Sequence, residues 1–150
     1  MRKLLFCITA IFFSGCASAN IPKYIKDTHP YEQVFYSSFD RVVAAVESGL
    51  DHCGWVIDER VDPDVYERTA EVDKNSREKI LIFTQRHQGF AGLGLRNQRV
   101  NIYIRTLADA SIKVEVRYLT ATSIPFKTFY NYRQDKRAQS LLDWTQKTLM

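Results

Sequence analysis

The sequence predicts an α+β domain in which an antiparallel meander sheet is covered on one face by an N-terminal and a C-terminal helix. Three observations lead there. Phe39, Val42, Val43, Val46, Leu50 and Cys53 fall on one side of a 3.6-residue period, and so do Ala138, Leu141, Leu142, Thr145 and Leu149 near the end of the chain. Between them, Val100, Ile102 and Ile104, then Ile112, Val114, Val116 and Tyr118, alternate with polar residues at the period of two that belongs to strands. Helices and strands that each carry one apolar face bury those faces against one another, which gives a sheet with helices on one side.

The elements follow in order. A first strand is expected at Glu32 to Tyr36, with Val34 and Tyr36 on one side. Ser37, with Asp40 three residues on, is the expected N-cap of the first helix, and Gly54 is placed to close it in the left-handed conformation. Gly49 inside that helix costs about 0.5 to 1 kcal/mol relative to Ala, which implies close packing against the sheet or simple tolerance. Trp55 to Val61 reads as a strand ending at the turn Asp62-Pro63-Asp64, and Val65 to Val72 as a half-exposed return strand before a bend at Lys74 to Arg77. Ile80 to Arg86 is the next strand. Beyond a Gly-rich stretch comes Val100 to Arg105, whose second face, Asn101, Tyr103 and Arg105, reads as polar. Ala108-Asp109-Ala110 turns the chain into Ile112 to Leu119, and the last helix is expected from about Tyr132.

The start of the chain has the three-part plan of a secretory signal: Arg2 and Lys3, the apolar run Leu4 to Phe13, then small residues from Ser14 to Ala19. An apolar run of that length rises only about 15 Å as a helix, roughly half a bilayer's hydrocarbon thickness. Phe13-Ser14-Gly15-Cys16 resembles the lipobox of bacterial lipoproteins, in which the Cys thiol receives diacylglycerol and becomes the first mature residue. Phe13 departs from the aliphatic residue usual there, and Ala17-Ser18-Ala19 offers a competing cut that would leave a soluble periplasmic protein. The lipobox is preferred, because a Cys this close behind the apolar run is otherwise unneeded in a secreted protein with few cysteines; with Cys7 removed and Cys16 lipidated, only Cys53 remains, and one thiol makes no internal disulfide. The expected organisation is a lipoprotein signal peptide at 1–15, a lipidated Cys and flexible tether at 16–31, and a single α+β domain at 32–150. What the resemblance implies is a cell-envelope address. Ala17, where an Asp would retain the protein at the inner membrane, implies the outer membrane, facing the periplasm.

With 45% hydrophobic and 25% charged residues, and 9 Phe, 8 Tyr and 2 Trp, the chain has the means to build a core without metals or disulfides. Losing Arg2 and Lys3 from 21 basic residues leaves 19 against 17 acidic ones, so the formal charge falls from +4 to +2. That balance does not point to nucleic acid. Tyr36-Ser37-Ser38-Phe39-Asp40-Arg41-Val42-Val43-Ala44-Ala45-Val46, with Leu50 and Gly54-Trp55-Val56-Ile57, resembles the opening of the small helix-grip domains of bacterial lipoproteins, including those of the BamC (NlpB) type. As an order of elements the likeness extends over roughly residues 32 to 149. It implies an accessory or adaptor role and carries no catalytic content.

Patterns that would carry chemistry give little. Gly89, Gly92 and Gly94 lead into Arg96, Arg99 and a strand, whereas a phosphate-binding glycine loop leads into a helix N-terminus; a hairpin or loop is expected. His29, His52 and His87 share no face near a carboxylate, so neither a metal site nor a cofactor is expected. His52 and Cys53 are helical neighbours pointing about 100° apart, and Cys53 reads as an inert core thiol. Asp58, Glu59, Asp62, Asp64, Glu67, Glu71 and Asp73 read as charge on an exposed edge rather than as catalytic pairs.

Two surfaces are candidates for contact. One is the tip bearing Phe90, Leu93 and Leu95, for which folding back onto the domain is the alternative. The other is the aromatic and cationic run from Phe126 to Arg133, with Lys127, Tyr130 and Arg133 as its interaction residues, a belt suited to lying against lipid head groups. The plainer reading, and the preferred one, is that Phe126, Phe129 and Tyr130 wedge the last helix onto the sheet. The expected function is a non-catalytic interaction module, anchored to the membrane through Cys16 and serving an envelope protein partner. The alternative is a helix-grip domain holding a lipid or other hydrophobic ligand in a cavity lined by Val100, Ile102, Val114, Val116 and Leu141 under the C-terminal helix. An enzyme assembled from scattered residues is the least favoured of the three.

Overall fold

The computed structural model describes residues 21–27, 29–67, 78–89, 95–124 and 127–150, with backbone alone at 87–89, 95 and 124. The elements run β1 (Tyr31–Phe35), α1 (Phe39–His52), β2 (Val56–Val61), a short 3-10 turn (Pro63–Val65), β3 (Lys79–Gly89), β4 (Leu95–Thr106), β5 (Ile112–Ile124), β6 (Lys127–Asn131) and α2 (Asp135–Leu149). The sheet is antiparallel in the order β1-β5-β4-β3-β2. Because β5 is long, it pairs β1 along Ile112–Val116 and β6 along Thr120–Ile124, so two short strands lie end to end on one edge. Both helices pack on one face, and the α+β class expected from the periodicities is the one observed.

The helix signals were local and mostly sufficient. Gly54, at φ +72°, closes α1: its N–H donates to the Asp51 carbonyl at 2.8 Å and the Trp55 N–H to the Leu50 carbonyl at 2.9 Å, the paired bonds that satisfy a helix C-terminus. At the other end Ser38, not Ser37, is the N-cap, and its side chain makes no capping bond. A Cβ on Gly49 would stand 2.8 Å from Leu141 Cδ1 and 3.2 Å from Trp144 Cδ1, so the close approach is to α2 and not to the sheet. Val100, Ile102, Val114, Val116 and Leu141, expected around a ligand cavity, are packed in the core between helices and sheet, none more than 2% exposed. The Asp109 turn forms as expected: Ser111 donates from its hydroxyl and its N–H to the Asp109 carboxylate, which holds that carboxyl below its usual range.

Several expectations are corrected. In β1 the inward residues are Tyr31, Gln33 and Phe35, while Val34 and Tyr36 face solvent, because Phe35 is the position that meets the core. Val65 ends a 3-10 turn rather than starting a strand; residues 68–77 lie outside those described. Strand β6 was not anticipated, and it delays α2 to Asp135. The second face of β4 is covered: Asn101 and Tyr103 are buried there. What covers them is the latter half of the expected tether. Ile25 is 1% exposed, its N–H donates to Asn101 Oδ1 at 2.6 Å, and Asn101 Nδ2 donates to the Lys23 carbonyl at 3.2 Å. Tyr24 stacks on Tyr66, which meets Phe83 edge-on, so Leu81, Phe83 and Tyr103 form a second small core.

This second core has a pH signature. Burial and the bond to Glu67 push the Tyr24 phenol up to about 12; burial and the charges of Glu67 and Glu115 push Tyr103 up to about 12. The unfolded phenols ionise near 10 while the folded ones keep their protons, so this contribution is complete below about pH 10 and is lost as pH rises toward about 12. Denaturant midpoints measured at pH 9 and at pH 11.5 should fall between the two, and Tyr24→Phe should shrink the fall. Equal midpoints for the native chain would contradict the assignment.

Candidate functional site

Of the residues singled out in the sequence, Cys16, Phe90, Leu93 and Phe126 lie outside those described. Leu95 opens β4, with its backbone between Gly89 and Ser123. Lys127, Tyr130 and Arg133 are brought to one edge, on β6 and its exit. Register sets their faces: Phe129 lies opposite Thr122 on the helix side of the sheet, and Tyr130 opposite Ala121 on the other. Both remain about half exposed, at 47% and 49%, as does Tyr132 at 44%. The expected wedge is therefore not formed by Phe129 or Tyr130. The physical reason is that α2 packs mainly on α1 and β1, and the β6 rings keep about half their surface in solvent.

The cations of this edge are not equivalent. Lys127 Nζ sits 4.8 Å from the centre of the Phe129 ring and is otherwise solvated. Arg133 is a clamp: Nη1 donates to the His29 carbonyl at 3.0 Å and the guanidinium covers the Tyr31 ring at 5.5 Å, tying the exit of β6 to the entry of β1.

At the seam of the two helices, His52, Cys53, Ser140, Asp143, Trp144 and Lys147 line an open groove of about 440 Å³ on the outer surface, away from the helix–sheet core. His52 is stacked on Trp144, 3.5 Å between ring centres and 14° from parallel. Burial pushes the Cys53 thiol up, against the pull of Arg86 and Arg137. A ring committed to Trp144 beside a thiol held in its protonated form does not make a base and nucleophile. Cys53 is only partly buried, so it is less enclosed than its helical position suggested.

Of the acidic residues of β2 and its turn, Glu59 pairs with Lys23 and Asp64 with Lys79, while Asp62 accepts from the Asp64 N–H; on α1, Glu47 pairs with Arg60. Glu67 departs from the edge and, partly buried, pairs with Arg117. Among the described residues, no group of three His, Cys, Asp or Glu side chains is placed to hold a metal ion, and no helix is long and apolar enough to cross a membrane.

One constellation was missed in the sequence. On the helix-facing positions of β3 and β4 the apolar series Ile80, Ile82 and Ile104, Ile102, Val100 gives way to Arg86 and to Gln98, Arg96 at the far strand ends, where Arg137 of α2 joins them. The signal was present in the period of two: it is the break in apolar character along one face. No family model matches the chain, and no curated protein does.

Proposed function

We propose that this chain is a membrane-tethered lipoprotein of the cell envelope that works as a non-catalytic interaction module, docking an envelope protein partner along β6. The observation that carries the reading is the edge itself. Proteins usually blunt an edge strand with charge, bulges or a covering element. Here, β6 has β5 as its one ladder partner among the described residues and presents half-exposed aromatics on both faces, Phe129 on one and Tyr130 on the other, with Lys127 beside them and no acidic residue in the strand. A partner strand with acidic side chains would gain main-chain bonds from the edge and specificity from the two rings.

The anchor follows from the likeness of Phe13-Ser14-Gly15-Cys16 to a lipobox, and the accessory role from the likeness to helix-grip lipoproteins of the BamC type. Diacyl attachment at Cys16 contributes about 0.8 kcal/mol per buried CH2. With residues 23–25 docked on the sheet, only Ala17 to Pro22 span the gap to the lipid, at most roughly 20 Å of extended chain. The domain then sits against its bilayer, which for Ala17 after the lipidated Cys is the outer membrane.

A photo-cross-linking side chain at Tyr130 in the full-length protein tests the edge. Irradiated cells should yield one defined envelope protein as adduct, reduced several-fold by Lys127→Glu. In the same strain Cys16→Ser should abolish palmitate labelling and release the protein from membranes. No defined adduct, or label retained by Cys16→Ser, rejects the reading.

A further inference from the structure

We propose that the end of the sheet beyond α1 is a binding site for a phosphate ester, built by Arg86, Arg96 and Arg137 around Gln98. Strand register supplies the layout. Arg86, Gln98 and Thr120 form one row across β3, β4 and β5; Arg96, Thr122 and Phe129 form the next across β4, β5 and β6. Both rows lie on the face that further along carries Ile82, Ile102 and Val116 and is covered by the helices. Arg137 enters from the first turns of α2, donates to Gln98 Oε1 and lies 3.5 Å from the Tyr118 hydroxyl. Arg86 Nη1 donates to the Cys53 carbonyl at 3.0 Å. Arg86 is directly opposite Gln98 in the ladder, Arg96 is two residues along from it on the same face, and Arg137 is bonded to it, so three arginines are rooted around one amide at the end of α1.

Among the described residues, none of the three arginines has a carboxylate partner, although the same sheet pairs Arg105 and Arg117 with Glu115 on its other face. Guanidiniums do not lose their charge, and gathering three of them in a half-buried place is unfavourable until an anion joins. Two orphaned donors mark where it belongs. Arg96 Nε is buried without a partner, and so is the hydroxyl of Thr120, a residue 3% exposed, on the diagonal of the same β4–β5 pair. A tetrahedral phosphate has oxygens enough to accept from both and still take the forks of the other two arginines. Phe129, across Thr122 from Arg96, gives the site an apolar wall, and Lys127 over that ring adds a fourth cation. The ligand class is therefore a phosphate bearing an apolar or planar substituent. A soluble ester and a phospholipid headgroup share that chemistry. The proposal does not rest on lipidation at Cys16; it shares Phe129 and Lys127 with the β6 edge, but its deciding variant, Arg96→Gln, lies on β4, away from that edge.

Calorimetric titration of the full-length protein in neutral detergent decides it, with three probes: inorganic phosphate, phenyl phosphate, and dihexanoylphosphatidylglycerol below its micelle concentration. Saturable binding is expected, with each organic phosphate tighter than the inorganic ion. Arg96→Gln and Arg137→Gln should each weaken it about tenfold or more, the scale of one hydrogen bond to a charged group. Phe129→Ala should weaken the organic probes alone. Tighter binding of phenyl phosphate supports the site as one for a soluble ester, and tighter binding of the phosphatidylglycerol supports it as a headgroup site. Arg137 bonds Gln98 and its loss can disturb folding; Arg96 has no side-chain partner among the described residues, so Arg96→Gln should keep its thermal midpoint and gives the deciding comparison. Absence of saturable binding by all three probes, or binding unchanged in Arg96→Gln, overturns the proposal.

Discussion

Arg117→Ala is expected to lower the unfolding free energy by about 3 to 5 kcal/mol, the scale for removing one partner of a buried ion pair. Arg117 is 6% exposed, on the face of β5 opposite the helices. Its Nη1 bonds Glu67 and, at 3.0 Å, the Tyr24 hydroxyl; its Nη2 bonds Glu115 Oε2 at 3.0 Å. Arg105 and Lys113 reach the other Glu115 oxygen at 3.2 and 3.5 Å. Burial works against the charge of Arg117, yet the bond and charge of Glu67 outweigh it and hold the guanidinium pKa above its usual value. Truncating Arg117 leaves Glu115 with two cations but Glu67 with the Tyr24 hydroxyl as its one remaining hydrogen-bond donor among the described residues. The penalty therefore falls on Glu67. Urea unfolding of the variant should show a lower midpoint at unchanged slope, and Arg117→Met combined with Glu67→Gln should recover most of the loss, because no uncompensated charge remains. If the double variant is as unstable as Arg117→Ala, the effect is one of packing and not of charge.

Where the fold was legible, the information was local. The period of 3.6 in Phe39 to Cys53, the left-handed glycine after it, and the strict alternation of β5 each depend on a few neighbouring residues, and each element formed with its apolar face inward. What was not legible depends on partners distant in sequence. Lys113, Glu115 and Arg117 alternate as a solvent face should, yet Glu115 and Arg117 are buried, because Tyr24 and Glu67 come from elsewhere to meet Arg117, which in turn pairs with Glu115. Strand β6 carries Lys-Thr-Phe-Tyr-Asn without alternation of polarity, since both of its faces are exposed; only pairing with β5 makes it a strand. The cationic end of the sheet failed to register for a different reason. Arg86, Arg96 and Arg137 are separated in sequence, and each alone is an ordinary surface arginine. Their placement at one end of the sheet is a property of the β3–β4 register and of the Arg137–Gln98 bond from α2.

Ile25→Ala should cost about 3 kcal/mol, within the range for truncating a buried Ile, although Ile25 stands in a segment with no apolar periodicity. The side chain is fully enclosed, and the backbone beside it is held by Asn101, which accepts from the Ile25 N–H and donates to the Lys23 carbonyl. Asn101 is itself buried in the middle of the sheet, so its amide is matched to backbone groups of the segment and has no solvent to replace them. The two interactions are coupled: loosening Ile25 strands the Asn101 amide, and Asn101→Leu leaves the Ile25 N–H unsatisfied at about 1 to 3 kcal/mol. Losses in the two single variants should therefore sum to more than the loss in the double variant. Native-state hydrogen exchange gives the local readout. The Ile25 amide should be protected to nearly the same degree as those of β4 in the native chain, and should exchange orders of magnitude faster in Ile25→Ala while β4 and β5 hold. An Ile25 amide that exchanges at the free-chain rate in the native protein would mean that the segment is not docked, that the second core is open, and that the short reach between Cys16 and the sheet is lost with it.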